Sequence, residues 1–113
     1  MTRSLLIAAG TALLLCANVA SAATHNVSVV DYSFNPKRVV AHPGDVIHWT
    51  NNTRMTAHTV TSEVGREGRL FDVELQPGQS FDWNVPNLRR PNVKYECRFH
   101  DELGMTGAII VIP

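Results

Sequence analysis

Beyond residue 22 the chain alternates apolar and polar positions in short runs. Val27 and Val29 alternate with polar neighbours, Tyr32 and Phe34 follow, and Val39-Val40 leads into the turn His42-Pro43-Gly44-Asp45. A period of two residues predicts strands with one buried face. The next strand runs from Val46 to Asn52, with Ile47 and Trp49 turned into a core and His48 and Thr50 turned outward. His58 to Thr61 predicts a further short strand, then a loop rich in Gly and charge from Ser62 to Arg69 precedes Leu70-Phe71. Gln76-Pro77-Gly78-Gln79 reads as a turn before Phe81 and Trp83. In the last two strands Val93, Tyr95 and Cys97 share one face, and Met105, Gly107, Ile109 and Val111 share another. Ala108, Ile110 and Ile112 are apolar too, so the final strand lacks a polar face and is expected to be covered on both sides or to form a contact surface. Turn residues interrupt the pattern too often for a helix. The expectation is an all-β domain, a sandwich of two sheets.

The first segment has a different pattern. Arg3 precedes an apolar run from Leu5 to Leu15, and the small residues Ala20-Ser21-Ala22 follow. This is the pattern of a signal peptide cut after Ala22, and the run is too short to span a bilayer. Cys16 follows the bulky Leu15, which does not suit lipoprotein processing, and is expected to leave with the signal. Of the 113 residues, 23–113 would then form a single domain, enough for one core. Its 9 Lys and Arg face 10 Asp and Glu once Arg3 is removed, a balance that argues against nucleic acid or a polybasic membrane contact as partner. Only Cys97 remains, so no internal disulfide can form. A lone thiol in an oxidising compartment is protected when it is buried or bound to a metal.

That cysteine begins the most informative stretch of the chain. Cys97-Arg98-Phe99-His100-Asp101-Glu102-Leu103-Gly104-Met105 places a thiolate, an imidazole and a thioether on one short loop. His58, 39 residues before Cys97, begins a strand that could end at the same pole of the sandwich. Thiolate and thioether favour Cu(I), imidazole serves both oxidation states, and a rigid scaffold lets one copper ion change charge with little movement. Structural zinc sites seldom use Met and usually close with more Cys or His. A cysteine nucleophile would need a base and an orienting partner in a cleft, which a domain of this size is ill placed to provide. The metal ligands expected are therefore His58, Cys97, His100 and Met105.

With these residues in view, the chain resembles the cupredoxins of the plastocyanin, pseudoazurin and amicyanin group over nearly all of residues 23–113. The resemblance rests on Tyr32-Ser33-Phe34-Asn35-Pro36, on Pro43 to Asn51, on His58-Thr59-Val60, and on Tyr95-x-Cys97-x-x-His100-x-x-x-x-Met105-x-Gly107. It implies a Greek-key β-sandwich, a type 1 (blue) copper site with Met105 as weak axial donor, and one-electron shuttling between redox proteins of the periplasm. It also implies that the backbone N–H of Thr59 bonds the Cys97 sulfur and that His100 is the electron port, where partners dock. Two positions depart from the group: Arg98 and Phe99 stand where many relatives carry Pro between the Cys and the His, and Thr59 stands where Asn commonly follows the first His. A single Cys excludes a dinuclear copper centre, and the lack of His-x-His and His-Cys-His motifs excludes a multicopper oxidase, so no enzyme activity is expected.

The competing readings are a protein that stores, buffers or delivers copper, and a metal-free sandwich module. Met55 and Met105 are the only methionines after residue 22, which favours the carrier, and the intact ligand set argues against the module. Phe99, Leu103 and Met55 are expected to make an apolar docking patch around His100, with Asp101-Glu102 beside it. Arg89-Arg90 reads as a solvated loop or a positive docking patch. His42 and His48 read as solvated, Trp49 and Trp83 as core, and the domain as a monomer. If the cut follows Ala22, Ala23-Thr24-His25 could wrap a second Cu(II) through the amine, two amides and the imidazole.

Overall fold

The computed structural model describes residues 21–88 and 91–113. Eleven strands account for most of them: β1 (Thr24–Val30), β2 (Ser33–Asn35), β3 (Arg38–Ala41), β4 (Val46–Asn51), β5 (His58–Ser62), β6 (Val64–Gly65), β7 (Gly68–Arg69), β8 (Asp72–Leu75), β9 (Ser80–Asn84), β10 (Asn92–Glu96) and β11 (Thr106–Val111). One sheet has the order β2-β1-β4-β9 and the other β3-β11-β10-β5-β8, while β6 and β7 form a small hairpin. Consecutive strands such as β3 and β4 lie in different sheets, which gives the expected all-β, Greek-key β-sandwich. The Gly-rich segment expected as a loop over 62–69 contains that hairpin. Gly68 makes it possible, since its φ of +85° is a conformation L side chains rarely adopt.

The alternation builds the core as expected. Val27, Val29, Ile47 and Trp49 of the first sheet face Val60, Val93, Tyr95 and Ile109 of the second, all buried. Trp49 is central: Phe81 stacks on it at 5.8 Å between ring centroids, and Tyr95 meets it edge-on at 5.4 Å. Truncating such a buried ring to Ala costs about 3–5 kcal/mol. Trp83 also packs on the core, against Phe71 at 4.9 Å, but remains partly exposed.

β11 lies between β3 and β10, so its hydrogen bonds are used on both sides. Gly107, Ile109 and Val111 point inward, while Ala108 and Ile110 are half-buried on the outer face beside the exposed Val40 and Ile112. Asn92 and Lys94 of β10 stand opposite Ile110 and Ala108, so polar neighbours border that apolar strip. Gly107 is opposite Tyr95, and a Cβ at Gly107 would lie 2.3 Å from the tyrosine ring. The missing side chain is therefore what lets the Tyr95 ring cover the strand. Burial raises the Tyr95 pKa to about 12, and its hydroxyl has no hydrogen-bond partner among the described residues.

Candidate metal centre

β1 and β4 run parallel, with Thr24 beside Val46 at one end and Val29 beside Asn51 at the other. The chain beyond that second end carries the candidate ligands. β5 starts there with His58, and all five of its residues are buried. β10 stops at Glu96, so Cys97 is the first residue of the connection to β11 rather than part of the strand. The connection folds back on itself: the Cys97 N–H donates to the Met105 carbonyl at 3.0 Å, and the His100 N–H to the Cys97 carbonyl at 3.1 Å. Asp101–Leu103 forms one 3-10 turn, the only helical element among the described residues. Gly104, with φ +79°, ends it and returns the chain to β11.

This brings three of the expected ligands together. Donor atoms of His58, Cys97 and His100 all lie within 4.8 Å of one another. Cys97 Sγ is 3.7 Å from His58 Nδ1 and 3.4 Å from His100 Nδ1. Met105, the fourth expected ligand, is fully buried at the end of the same connection. The Thr59 N–H donates to the Cys97 sulfur at 3.3 Å, the bond the family resemblance implied. His58 is fully buried and His100 partly exposed, so access from solvent is through His100.

The donor set fits a soft or borderline metal ion. His58 Nε2 is 2.7 Å from Asp31 Oδ1, and an ionised carboxylate can only accept, so Nε2 carries the proton. Nδ1 then presents its lone pair toward the sulfur, as a metal ligand must.

The two departures from the family pattern support each other. The Arg98 N–H donates to Thr59 Oγ1 at 2.7 Å; the Thr59 hydroxyl bonds Thr61 Oγ1 at 3.0 Å, and the Thr61 hydroxyl donates to Asp72 at 2.8 Å. The Arg98 guanidinium closes the circuit on Asp72 at 3.1 Å. The Thr61 hydroxyl, with help from Arg98, holds the Asp72 carboxyl below its usual range. Thr59 and Arg98 thus tie the ligand loop to the outer face of β5, in place of a rigid Pro.

Apolar side chains border His100. Tyr32 packs on His100 at 4.8 Å and Phe99 meets it edge-on at 6.3 Å; both rings are about half exposed. Leu103 is exposed on the same turn, next to the exposed Asp101 and Glu102, and Met55 is exposed in the connection before β5. Arg89-Arg90 lies outside the described residues, as does the expected signal peptide up to residue 20. His42 is exposed as expected, whereas the outward-facing His48 bonds Asp82 and Thr50. Ala23 and His25 both engage Asp45, through the Ala23 N–H at 3.0 Å and His25 Nε2 at 2.9 Å. The residues sequence reasoning missed are Asp31, on His58, and Tyr32 as a neighbour of His100. Their only signal is position, at the end of the first alternating run.

Comparison with protein-family models and with curated proteins finds no match. Solved structures do match. A purple cupredoxin from Nitrosopumilus maritimus is similar with a TM-score of 0.65 and 20% identity, over 78% of this chain and 99% of that one. Pseudoazurin from Hyphomicrobium denitrificans gives 0.62 and 22%, over 78% and 74%. A copper-containing nitrite reductase from Thermus scotoductus gives 0.69 and 19%, over 89% of this chain but 25% of the enzyme. The fold is that of the cupredoxins.

Proposed function

We propose that this chain, built on the cupredoxin fold, is an exported blue-copper electron carrier that holds one copper ion through His58, Cys97, His100 and Met105. It passes one electron at a time between redox proteins and carries out no enzymatic step of its own. The observation that carries the reading is the approach of two imidazole Nδ1 atoms to one buried sulfur that also accepts the Thr59 N–H. Bound there, copper supplies a one-electron couple between Cu(I) and Cu(II).

The chain's own residues do the rest. Cys97 is fixed by Thr59, His58 by Asp31 and burial, and the ligand loop by its internal hydrogen bonds and by Arg98 on Thr59. Such a scaffold leaves little to rearrange when the charge changes. His100 gives the buried sulfur a route to the surface, where Tyr32, Phe99 and Leu103 offer a small apolar face for brief docking. The likeness to one quarter of a copper enzyme is a likeness to one domain of it, so it supports the fold and not that enzyme's reaction. For the periplasm, the support is the sequence of residues 1–22; no described helix is long and apolar enough to cross a membrane.

Met105→Leu separates carrying from storage. In a carrier the substituted protein keeps its copper and colour, and its reduction potential rises because loss of the thioether disfavours Cu(II) more than Cu(I). A store would instead lose Cu(I) retention. Voltammetry and a Cu(I) competition assay on the same variant decide; an unaltered potential with markedly weaker Cu(I) binding would overturn the carrier reading.

A further inference from the structure

We infer that Asp31 is the positioning residue of this metal centre: its carboxylate fixes the ring and tautomer of His58 and, by its charge, favours the oxidised ion. The inference rests on the copper reading above and names what tunes that site. Asp31 follows the last residue of β1, at the end of the β1/β4 pair where Asn51 lies. Its Oδ1 accepts from His58 Nε2 at 2.7 Å and its Oδ2 from the Thr56 hydroxyl at 3.3 Å, so both oxygens hold the segment that enters β5. That segment is itself tied to β4, because the Thr56 carbonyl accepts from the buried Asn51 amide at 2.9 Å and from the Thr53 hydroxyl at 2.8 Å.

The consequence follows from the two nitrogens of one imidazole. A carboxylate on Nε2–H makes Nδ1 the lone-pair nitrogen and a better electron-pair donor to a bound ion, which strengthens a ligand bond most toward the more highly charged ion. The negative charge itself acts in the same direction. The Asp31 side chain is 40% exposed, so solvent screens part of the charge, while His58 is fully buried and transmits the hydrogen bond without competition from water. Asp31→Asn therefore separates the two effects, since the amide oxygen can still accept from Nε2–H but carries no charge. Asp31→Ala removes both.

The test uses the copper-loaded protein by voltammetry and the metal-free protein by 15N NMR of His58. In Asp31→Asn we expect one copper and the thiolate band to remain, while the equilibrium moves toward Cu(I) by about tenfold, or ~59 mV for a one-electron couple. In metal-free Asp31→Ala we expect His58 to lose its single Nε2–H tautomer, whereas Asp31→Asn and Asp31→Glu keep it. An Asp31→Asn potential equal to wild type in a protein that is blue overturns the charge effect, and an unchanged tautomer in Asp31→Ala overturns the positioning role. A wild type that is not blue sinks the carrier reading instead, and the metal-free measurement still decides what Asp31 does for His58.

Discussion

Two histidine–aspartate pairs sit at opposite ends of the parallel strands β1 and β4, and the same two residue types do different work in each. At one end His25 Nε2 is 2.9 Å from Asp45, and there the carboxylate is the buried partner. At the other His58 Nε2 is 2.7 Å from Asp31, and there the imidazole is buried. Burial decides the role. Asp45 accepts from the Ala23 N–H, the His42 N–H and the His25 ring, so one carboxylate joins the start of β1 to the turn before β4. Those bonds, the two backbone ones foremost, hold its pKa well below the ordinary 3.8. His58 instead has one nitrogen fixed by Asp31 and the other left to face a sulfur. The first pair closes a fold; the second, in the proposed function, prepares a ligand.

If that division is right, substitutions at the two ends should affect different observables. Asp45→Asn should have the largest effect on how stability responds to pH, because three donors lose the ionised acceptor they share. We expect the melting temperature to fall by several degrees with the copper spectrum and potential unchanged. The sign with pH is fixed. A depressed carboxylate pKa contributes stability in full above about pH 3.8, and the contribution is lost as pH falls through the folded value. Wild type should therefore lose stability on acidification more steeply than Asp45→Asn, and equal slopes in denaturant titrations from pH 5 to pH 2 would break the comparison.

Gly107→Ala comes next, with an expected cost of about 1–3 kcal/mol, since the new Cβ would meet the Tyr95 ring and the core offers that ring little room to move. Chemical denaturation measures it, and a neutral result would show that the sheet behind Cys97 and Met105 yields more readily than its packing suggests. His25→Ala should cost less, about 0.5–1.5 kcal/mol, because the two backbone donors to Asp45 remain. Leu103→Asp should have the smallest effect on the molecule itself: stability within about 0.5 kcal/mol and an unchanged copper spectrum, but slower electron exchange with partner proteins. A collapsed spectrum in that variant would mean that Leu103 supports the site rather than a docking face.

What the sequence could reveal of this arrangement depended on distance along the chain. Alternation around Ile47 and Trp49, and again around Val93 and Tyr95, is a local signal, and it identified the buried faces correctly. Cys97, His100 and Met105 lie within nine residues, so their convergence could be argued from loop length, and His58 entered as the start of a strand that could end at the same pole of the sandwich. Asp31 and Asp45 carry no such signal. Their histidine partners are 27 and 20 residues away, and only the pairing of β1 with β4 decides which aspartate meets which histidine. The hairpin over 64–69 was missed for a different reason: glycine and charge mark a turn there, while two-residue strands are too short to show a period.

The central claim, that the end of the sandwich carrying His58 is a copper centre with a thiolate ligand, is tested most directly by visible absorption and electron paramagnetic resonance of wild type and Cys97→Ser, each loaded with one equivalent of Cu(II). The account predicts an intense thiolate-to-copper band and a narrow copper hyperfine splitting in wild type. It predicts the loss of both in Cys97→Ser, even where the histidines still retain the ion. A colourless wild-type protein, or one with the same spectrum after the sulfur is removed, would contradict it.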